Sequence, residues 1–273
     1  MCQVLEVSSS AYYDWIARPP SQHEVEDIRL TEKIQDIHEN HKGNYGARRI
    51  RDDLLDDNEV ASVSRERAAR LMREDGLECK RKKKFKATTN SKHDLAIAPD
   101  LLKRDFSPAK PDQSYVADIT YVWTSEGWLY LAIVIDLFSR LVVGWSLSSR
   151  MTAAIVTDAL GMAITTRQPG PGLIHHSDRG AQYASDAFRK MLSQHGYQCS
   201  MSRKGNCWDN SVAESFFRTL KSELIYQHKY ESRAQAKSAI FEYIEVYYNR
   251  QRKHSTNGYL SPSNYEQKWL NAA

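Results

Sequence analysis

Residues 115–123 read YVADITYVW, an apolar, β-branched and aromatic run of strand length with a carboxylate, Asp118, in its middle. An ionised carboxylate in an apolar strand is costly unless it is paired or coordinates a cation. A second short apolar run, from residue 173, stops at HHSD and puts Asp178 at its end. A third acid, Glu214, lies in a helical pattern that starts near Asp209, with 35 residues between Asp178 and Glu214. Each acid alone has a plain reading: Asp118 caps a turn, or Glu214 lies on a solvated helix face. Together they constrain the fold more tightly, because something must gather and neutralise them.

Clustered carboxylates raise one another's pKa unless a cation intervenes. Magnesium prefers oxygen donors and usually keeps waters while bridging to substrate phosphates. Two such ions roughly 3.5–4 Å apart activate a water or a 3′-hydroxyl and stabilise the leaving oxygen, so this chemistry needs acids and no covalent nucleophile. His175 and His176 adjoin Asp178, but a hard metal favours oxygen. One of them is expected to face the core and the other to touch substrate. Asp136, which ends the apolar run IVID, is a rival ligand on the residues alone.

The segments DIT, DLFSR, HSDRGAQY, SMSRKGNCWDNSVAESFFRTLKSE and YYNRQRKHSTNGYLSPSNYE follow one another along the chain. In that order they resemble the blocks of bacterial insertion-sequence transposases, above all the OrfB-type enzymes of the IS-three family. Those enzymes share a catalytic core with retroviral integrases. The resemblance runs from about residue 40 to the C-terminus. It implies that Asp118, Asp178 and Glu214 are the acidic triad and the metal ligands, with Mg²⁺ (or Mn²⁺), two ions per active site. It leaves Asp136 outside the triad, as a structural residue pairing with Arg140. Tyr115 departs from the pattern, which more often has Trp there, and this leaves the acids untouched. The resemblance further implies DNA partners (the element's terminal inverted repeats and target DNA), a homo-multimer on paired ends, and an upstream reading-frame protein to which such chains are often fused. His176 and Arg179 also form an HxxR of the kind tyrosine recombinases use, but that reading leaves the acid series unexplained.

The 273 residues allow one large or two modest domains. Cys2, Cys79, Cys199 and Cys207 form no CxxC pair, which fits reduced thiols. No run of eighteen apolar residues and no secretory h-region is present. A cytoplasmic, nucleoid-associated bacterial protein is expected. The net charge of +4 matters less than its distribution: residues 1–64 carry a balance of −6 and residues 65–86 one of +6.

Short helices are expected over residues 1–22, 24–39, 47–57 and 64–75, the first capped by Ser8 to Ser10 and the last by Ser64. In the second, Val25, Ile28, Ile34 and Ile37 keep helical period; in the third, Ile50, Leu54 and Leu55 share a side. In the fourth, Ala68, Leu71 and Met72 face inward while Arg65, Arg70 and Arg73 point out. A basic second helix after a turn suits a helix-turn-helix that enters the major groove, against a small bundle with solvated arginines. The run KRKKKFK contributes Lys82, Lys83 and Lys84 to phosphate neutralisation, or is a solvated linker. Residues 1–79 are thus read as a DNA-binding region, 80–111 as a basic, Pro-punctuated linker, and 112–273 as the catalytic core with a C-terminal helical extension.

In the core, strands are expected over 115–123, 128–136, 141–147, 173–176 and 198–201. Helices are expected over 152–167 (capped by Thr152), 185–195, 209–225 and 232–248. The meander followed by alternating helices and strands matches an α/β, RNase H-like fold, a mixed five-stranded sheet flanked by helices. That arrangement sets the middle of the first strand beside the end of the fourth. On the last catalytic helix Glu214, Arg218 and Lys221 share one face, fit to hold a phosphodiester or merely to form an intrahelical salt bridge. In retroviral-type relatives a basic residue seven positions after the glutamate contacts DNA, and Lys221 occupies that position. Arg203 and Lys204 sit in a polar, Gly-containing loop suited to phosphate contacts. Arg250 and Arg252 follow a helix whose Ile240, Tyr243, Ile244 and Tyr247 are expected to pack inward. The expected activity is DNA strand cleavage followed by 3′-hydroxyl strand transfer. The alternatives are an RNase H-fold nuclease without transfer, or a non-catalytic repressor of transposition.

Overall fold

The structure, a computed structural model, describes residues 2, 4, 8–80, 96–204 and 206–272. The chain divides into two compact units, Met1–Lys80 and Arg81–Ala273.

The first unit holds α1 (Ser9–Ala17), α2 (Gln22–Asn40), α3 (Ala47–Asp56) and α4 (Arg65–Glu74). Each start has a physical cause. Ser8 and Ser64 accept amide hydrogens from Ala11 and Arg67, and Ser21 with Glu24 forms a full capping box. The core of this unit joins Leu30, Ile34, Tyr45, Ile50, Leu54, Ala68, Leu71 and Met72. Val25, Ile28 and Leu55, expected inward by period, are exposed instead. Leu30 takes the buried stripe of α2, so the inward face is rotated from the one their spacing suggested.

In the second unit the mixed five-stranded sheet is present: β1 (Ser114–Thr124), β2 (Gly127–Asp136), β3 (Val142–Ser148), β4 (Ile174–Ser177) and β5 (Gln198–Met201). Its order is β3-β2-β1-β4-β5, with β1–β2–β3 antiparallel and β1, β4 and β5 parallel. One face packs on α5 (Ala153–Arg167) and α6 (Asp186–Gln194), through Tyr115, Ala117, Leu160 and Phe188. The other packs on α7 (Ser211–Glu223) and α8 (Arg233–Phe241), through Val116, Val122, Ile133, Phe217 and Ile240. α9 (Pro262–Leu270) closes the described chain. Gly144 lets β3 approach α5 closely, since a Cβ there would lie 2.2 Å from the Ala159 carbonyl oxygen. Before β1, residues 96–111 run against β5: the Leu101 amide donates to the Ser200 hydroxyl at 2.9 Å and the Met201 amide to the Pro99 carbonyl at 3.2 Å.

Three local expectations need correction. Thr152 occupies the N-cap of α5 but makes no capping hydrogen bond. The expected helix 232–248 is α-helical only to Phe241 and continues as a π-helix, Glu242–Tyr248. Asp136 does not form an ion pair with Arg140. Its carboxylate accepts from the Phe138 amide (3.1 Å) and the Ser139 hydroxyl (3.3 Å), while Arg140 donates Nη2 to the Phe106 carbonyl (2.9 Å).

Burial pushes the Asp136 carboxyl up to about 7. Its folded form therefore keeps a proton that the unfolded chain releases near pH 4, so stability falls as pH rises from there to about 7. Asp136→Asn can keep the acceptor for Phe138 and removes that slope. At pH 8 the variant is expected to be roughly 2–4 kcal/mol more stable than the parent, and no more stable at pH 4. Denaturant melts at the two pH values check it.

Candidate active site

The parallel register between β1 and β4 runs Val116↔His176, Ala117↔Ser177. Asp118 and Asp178 each follow the last of these pairs, where the two backbones run about 4.8 Å apart. Asp118 shares its strand face with Val116 and Val122, which pack toward α7, and both acids are half-buried. Asp178 turns out of β4 and accepts the Gly180 amide at 2.9 Å. A Cβ at Gly180 would stand 3.0 Å from that carboxylate oxygen, so a larger residue there would push on the Asp178 side chain.

Glu214 reaches the same place from the first turn of α7. The position of α7 is fixed by the turn before it, a 3₁₀ segment Cys207–Asn210. There the Asn210 amide donates to the Ala117 carbonyl at 3.2 Å, one residue from Asp118. Asp209, fully buried, is gripped by Arg203 (2.8 and 2.9 Å) and Arg104 (2.9 Å), which hold its carboxyl far below the usual carboxylate range. The sequence reading took Asp209 and Asn210 only as a helix start and missed their anchoring role. The signal lay in two adjacent side chains able to bond backbone, placed just before an apolar-periodic helix.

The electrostatics tie the acids together. The Asp118 carboxyl is held well above the ordinary range by burial first, then by Asp178 and Glu214. The Ile119 amide (2.8 Å) and Lys221 oppose the rise. Glu214 is also raised by burial, with Arg218 opposing. Lys221 is buried on α7, and its ammonium is lowered to about 8 by burial, against the attraction of Asp118. Its Nζ stands 4.9 Å from the centre of the Tyr121 ring. Among the described residues no three His, Cys, Asp or Glu side chains form a closed metal-holding group. Asp178 and Glu214 are nonetheless near enough to Asp118 for both to raise its carboxyl. The donor set itself, carboxylate oxygens beside a substrate-sized opening, fits a hard divalent cation.

Next to Lys221 opens a cleft of about 640 Å³ whose walls include Tyr121, Trp123, Trp128, Tyr226 and Lys229. Trp123 is 59% exposed and Trp128 43%, a costly display of aromatic surface beside an acidic site. The sequence reading counted these side chains only as strand formers.

The remaining candidates separate into exposed cations and committed ones. Arg65, Arg73, Lys204, Arg218 and Arg250 are exposed, although Arg65 contacts Glu66 at 2.9 Å. Arg70 does not simply point out: it is half-buried and bonds Asp27 (2.6 Å) and Glu74 (2.9 Å). Arg203 spends its guanidinium on Asp209. Arg252, expected to touch DNA, is instead buried in a two-pronged pair with Glu223 (2.7 and 2.8 Å), which also accepts from Tyr243. Lys82, Lys83 and Lys84 lie outside the described residues. His175 sits in the core against Phe188, its pKa pushed down to about 3 by burial. His176 does not reach substrate: it is fully buried between the hydroxyls of Ser200 and Ser202. Arg179 donates to the Ser202 carbonyl at 2.6 Å, so the HxxR residues act as scaffold.

Residues 108–207 and 214–270 match the family described as integrase core domain, and residues 24–85 the family described as HTH-like domain. The uncharacterized 31 kDa protein of insertion element IS600 from Shigella sonnei is 46% identical over 269 residues, 98% of both chains. The transposase InsF for insertion sequence IS3A from Escherichia coli K12 is 41% identical over 272 residues, covering 99% of this chain and 94% of its own. The transposase of insertion element IS904 from Lactococcus lactis is 44% identical over 249 residues, 91% of this chain and 98% of that one. Among solved structures, a chain of the simian T-cell lymphotropic virus intasome with PP2A regulatory subunit B56 gamma aligns at 14% identity and TM-score 0.49, covering 85% of this chain and 74% of that one. The catalytic core domain of BIV integrase aligns at 19% and 0.44, covering 59% and 97%. Among the described residues no helix is long and apolar enough to cross a membrane. With relatives this similar along nearly its whole length, the chain belongs to the IS3 family of insertion-sequence transposases and carries an integrase core domain.

Proposed function

We propose that this transposase cuts one strand at each element end and joins the freed 3′-hydroxyl to another phosphodiester. Asp118, Asp178 and Glu214 would hold divalent metal, Mg²⁺ or Mn²⁺, in two sites. When bound, such ions activate the attacking oxygen and stabilise the leaving one. The observation that carries this reading is the Asp118 carboxyl, raised by burial first and then by both Asp178 and Glu214. Acids from the end of β4 and from α7 thus both act on the one in β1.

The protein's own groups supply the rest. Arg218 and Lys221, on the face of α7 that bears Glu214, position the phosphodiester beside the acids. Burial leaves Lys221 with few competing waters, which suits it to a phosphate oxygen. The aromatic cleft next to Lys221 stacks bases that leave the duplex at the cut end. Arg65 and Arg73 on α4 bind DNA through the N-terminal unit, and Lys82, Lys83 and Lys84 neutralise phosphates; Lys204 and Arg250 contact the backbone near the core. The active species is a homo-multimer on paired ends, working in the bacterial cytoplasm at the nucleoid, with the upstream reading-frame protein as a further partner.

The test supplies a pre-cleaved element end with a free 3′-hydroxyl, target DNA and Mg²⁺. Joined product that disappears with EDTA supports the reading; cutting without joining at any metal concentration assigns a nuclease instead. Trp123→Ala is expected to weaken binding to frayed or pre-cleaved ends about tenfold, the scale of one lost stacking contact. Binding to blunt duplex stays nearly unchanged, as fluorescence anisotropy on both substrates would show.

A further inference from the structure

Three segments singled out in the sequence meet away from the acids. Arg140 comes from DLFSR, Ser211, Ser215 and Thr219 from α7, and His254 and Thr256 from the block after Tyr248; together they line a cleft of about 310 Å³. On α7 this hydroxyl face lies about 100° around the helix from Glu214. The cleft is therefore separate from the aromatic one.

Its chemistry is one-sided. Arg140 is only 7% exposed and holds a left-handed backbone, φ 64°. A non-glycine residue in that region is uncommon and persists where its surroundings demand it. Nη2 donates to the Phe106 carbonyl, while Nη1 is buried without a hydrogen-bond partner. Asp136, on the same turn, bonds Phe138 and Ser139 and gives Arg140 no ion pair. Burial lowers the Arg140 pKa, yet a guanidinium stays protonated in proteins, so its charge lacks a full counterpart. Arg252, also in the wall, is already matched by Glu223. No carboxylate lines the cleft among the described residues. α7 begins at the cleft's edge with Ser211, and Asn210 gives it no side-chain cap.

We propose that this cleft is a phosphate-binding subsite on the flank of the catalytic helix, seating a phosphodiester of the DNA substrate through Arg140, the hydroxyls of α7 and the Thr256 turn. It deepens the transposase reading and rests on it for the choice of DNA as the phosphate's source. A phosphate held there would fix the position of α7 and, through it, Glu214. Free inorganic phosphate shares the chemistry and is the competing source.

Two variants test it in the full chain with metal withheld, so the outcome is independent of the acids and of strand joining. Thr256→Asp puts a carboxylate at the mouth of the cleft from an exposed turn; Arg140→Lys keeps the charge but loses the fork. Both variants are expected to bind an element-end duplex about tenfold more weakly; Thr256→Asp also makes the log–log salt slope shallower by about 1, whereas Arg140→Lys leaves the slope unchanged. In the parent, inorganic phosphate raises Tm above NaCl of equal ionic strength, and Thr256→Asp abolishes that rise. Phosphate stabilisation lost in the variants with DNA binding unchanged supports the anion site and overturns DNA as its source. Parent-like DNA binding and no phosphate-specific rise in Tm overturn the proposal. Should Arg140→Lys fail to fold, Thr256→Asp alone decides.

Discussion

Asp178→Asn is expected to reduce strand joining a hundredfold or more, the scale on which losing one preorganised group costs a charged transition state. Binding to the same DNA should stay within about twofold, because phosphate contacts, not the acids, supply that affinity. Asp118→Asn should lose joining equally and differ in one respect. The Asp118 carboxyl is raised by burial and by its two acidic neighbours. The folded chain thus holds a proton that the unfolded one releases, and stability falls as pH rises above the unfolded carboxylate value near 4. Asn removes that cost. In the absence of metal the variant should melt higher than the parent at neutral pH, with the gap closing toward pH 4. Each kcal/mol corresponds to roughly 2–4 °C at this size. Gel assays of joining, anisotropy of binding and calorimetry at two pH values separate these effects. Joining at parental rates by either variant would reject the acids' assigned role.

Glu223→Ala carries the largest expected effect on stability. Glu223 holds Arg252 by two hydrogen bonds and accepts a third from Tyr243, all buried between α7 and the π-helical stretch. Removing the carboxylate leaves a guanidinium buried without its partner, which costs about 3–5 kcal/mol. A Tm drop of roughly 6–20 °C follows. The apolar double variant Glu223→Leu/Arg252→Met should recover most of it, because replacing both members avoids the stranded charge. DNA affinity in the double variant is expected to match the parent. A selective loss of affinity there, with Tm restored, would return Arg252 to the DNA-contacting set.

Much of this fold was legible because its determinants are local. The apolar, β-branched run at 115–123 and the turn spacing gave the β1–β3 meander, and the apolar run that stops at Asp178 gave β4. The Ser64 cap announced α4 within a residue, and a serine within Ser8 to Ser10 does cap α1, although that helix spans only Ser9–Ala17 of the expected 1–22. What stayed hidden depends on partners distant along the chain. Arg252 reads as a solvated cation until Glu223, 29 residues earlier, is seen to receive it. Arg70 reads as outward until Asp27 on α2 takes its guanidinium. The expected Asp136–Arg140 pair was reasonable by proximity. It fails because the carboxylate closes its own turn, and a left-handed backbone at Arg140 accompanies a guanidinium bonded to Phe106. At the candidate site the acids were legible as types and spacing. The Asp209–Arg203–Arg104 clamp and the aromatic cleft were not, because each joins segments that only the folded sheet brings together.

The most direct measurement is a structure of the full chain on a pre-cleaved DNA end with Mn²⁺, locating the metal by its anomalous scattering. The account predicts manganese bound by carboxylate oxygens of Asp118, Asp178 and Glu214, with the terminal phosphodiester alongside and Lys221 near it. Metal seated elsewhere, or DNA bound with these three carboxylates turned away from the scissile phosphate, would contradict it.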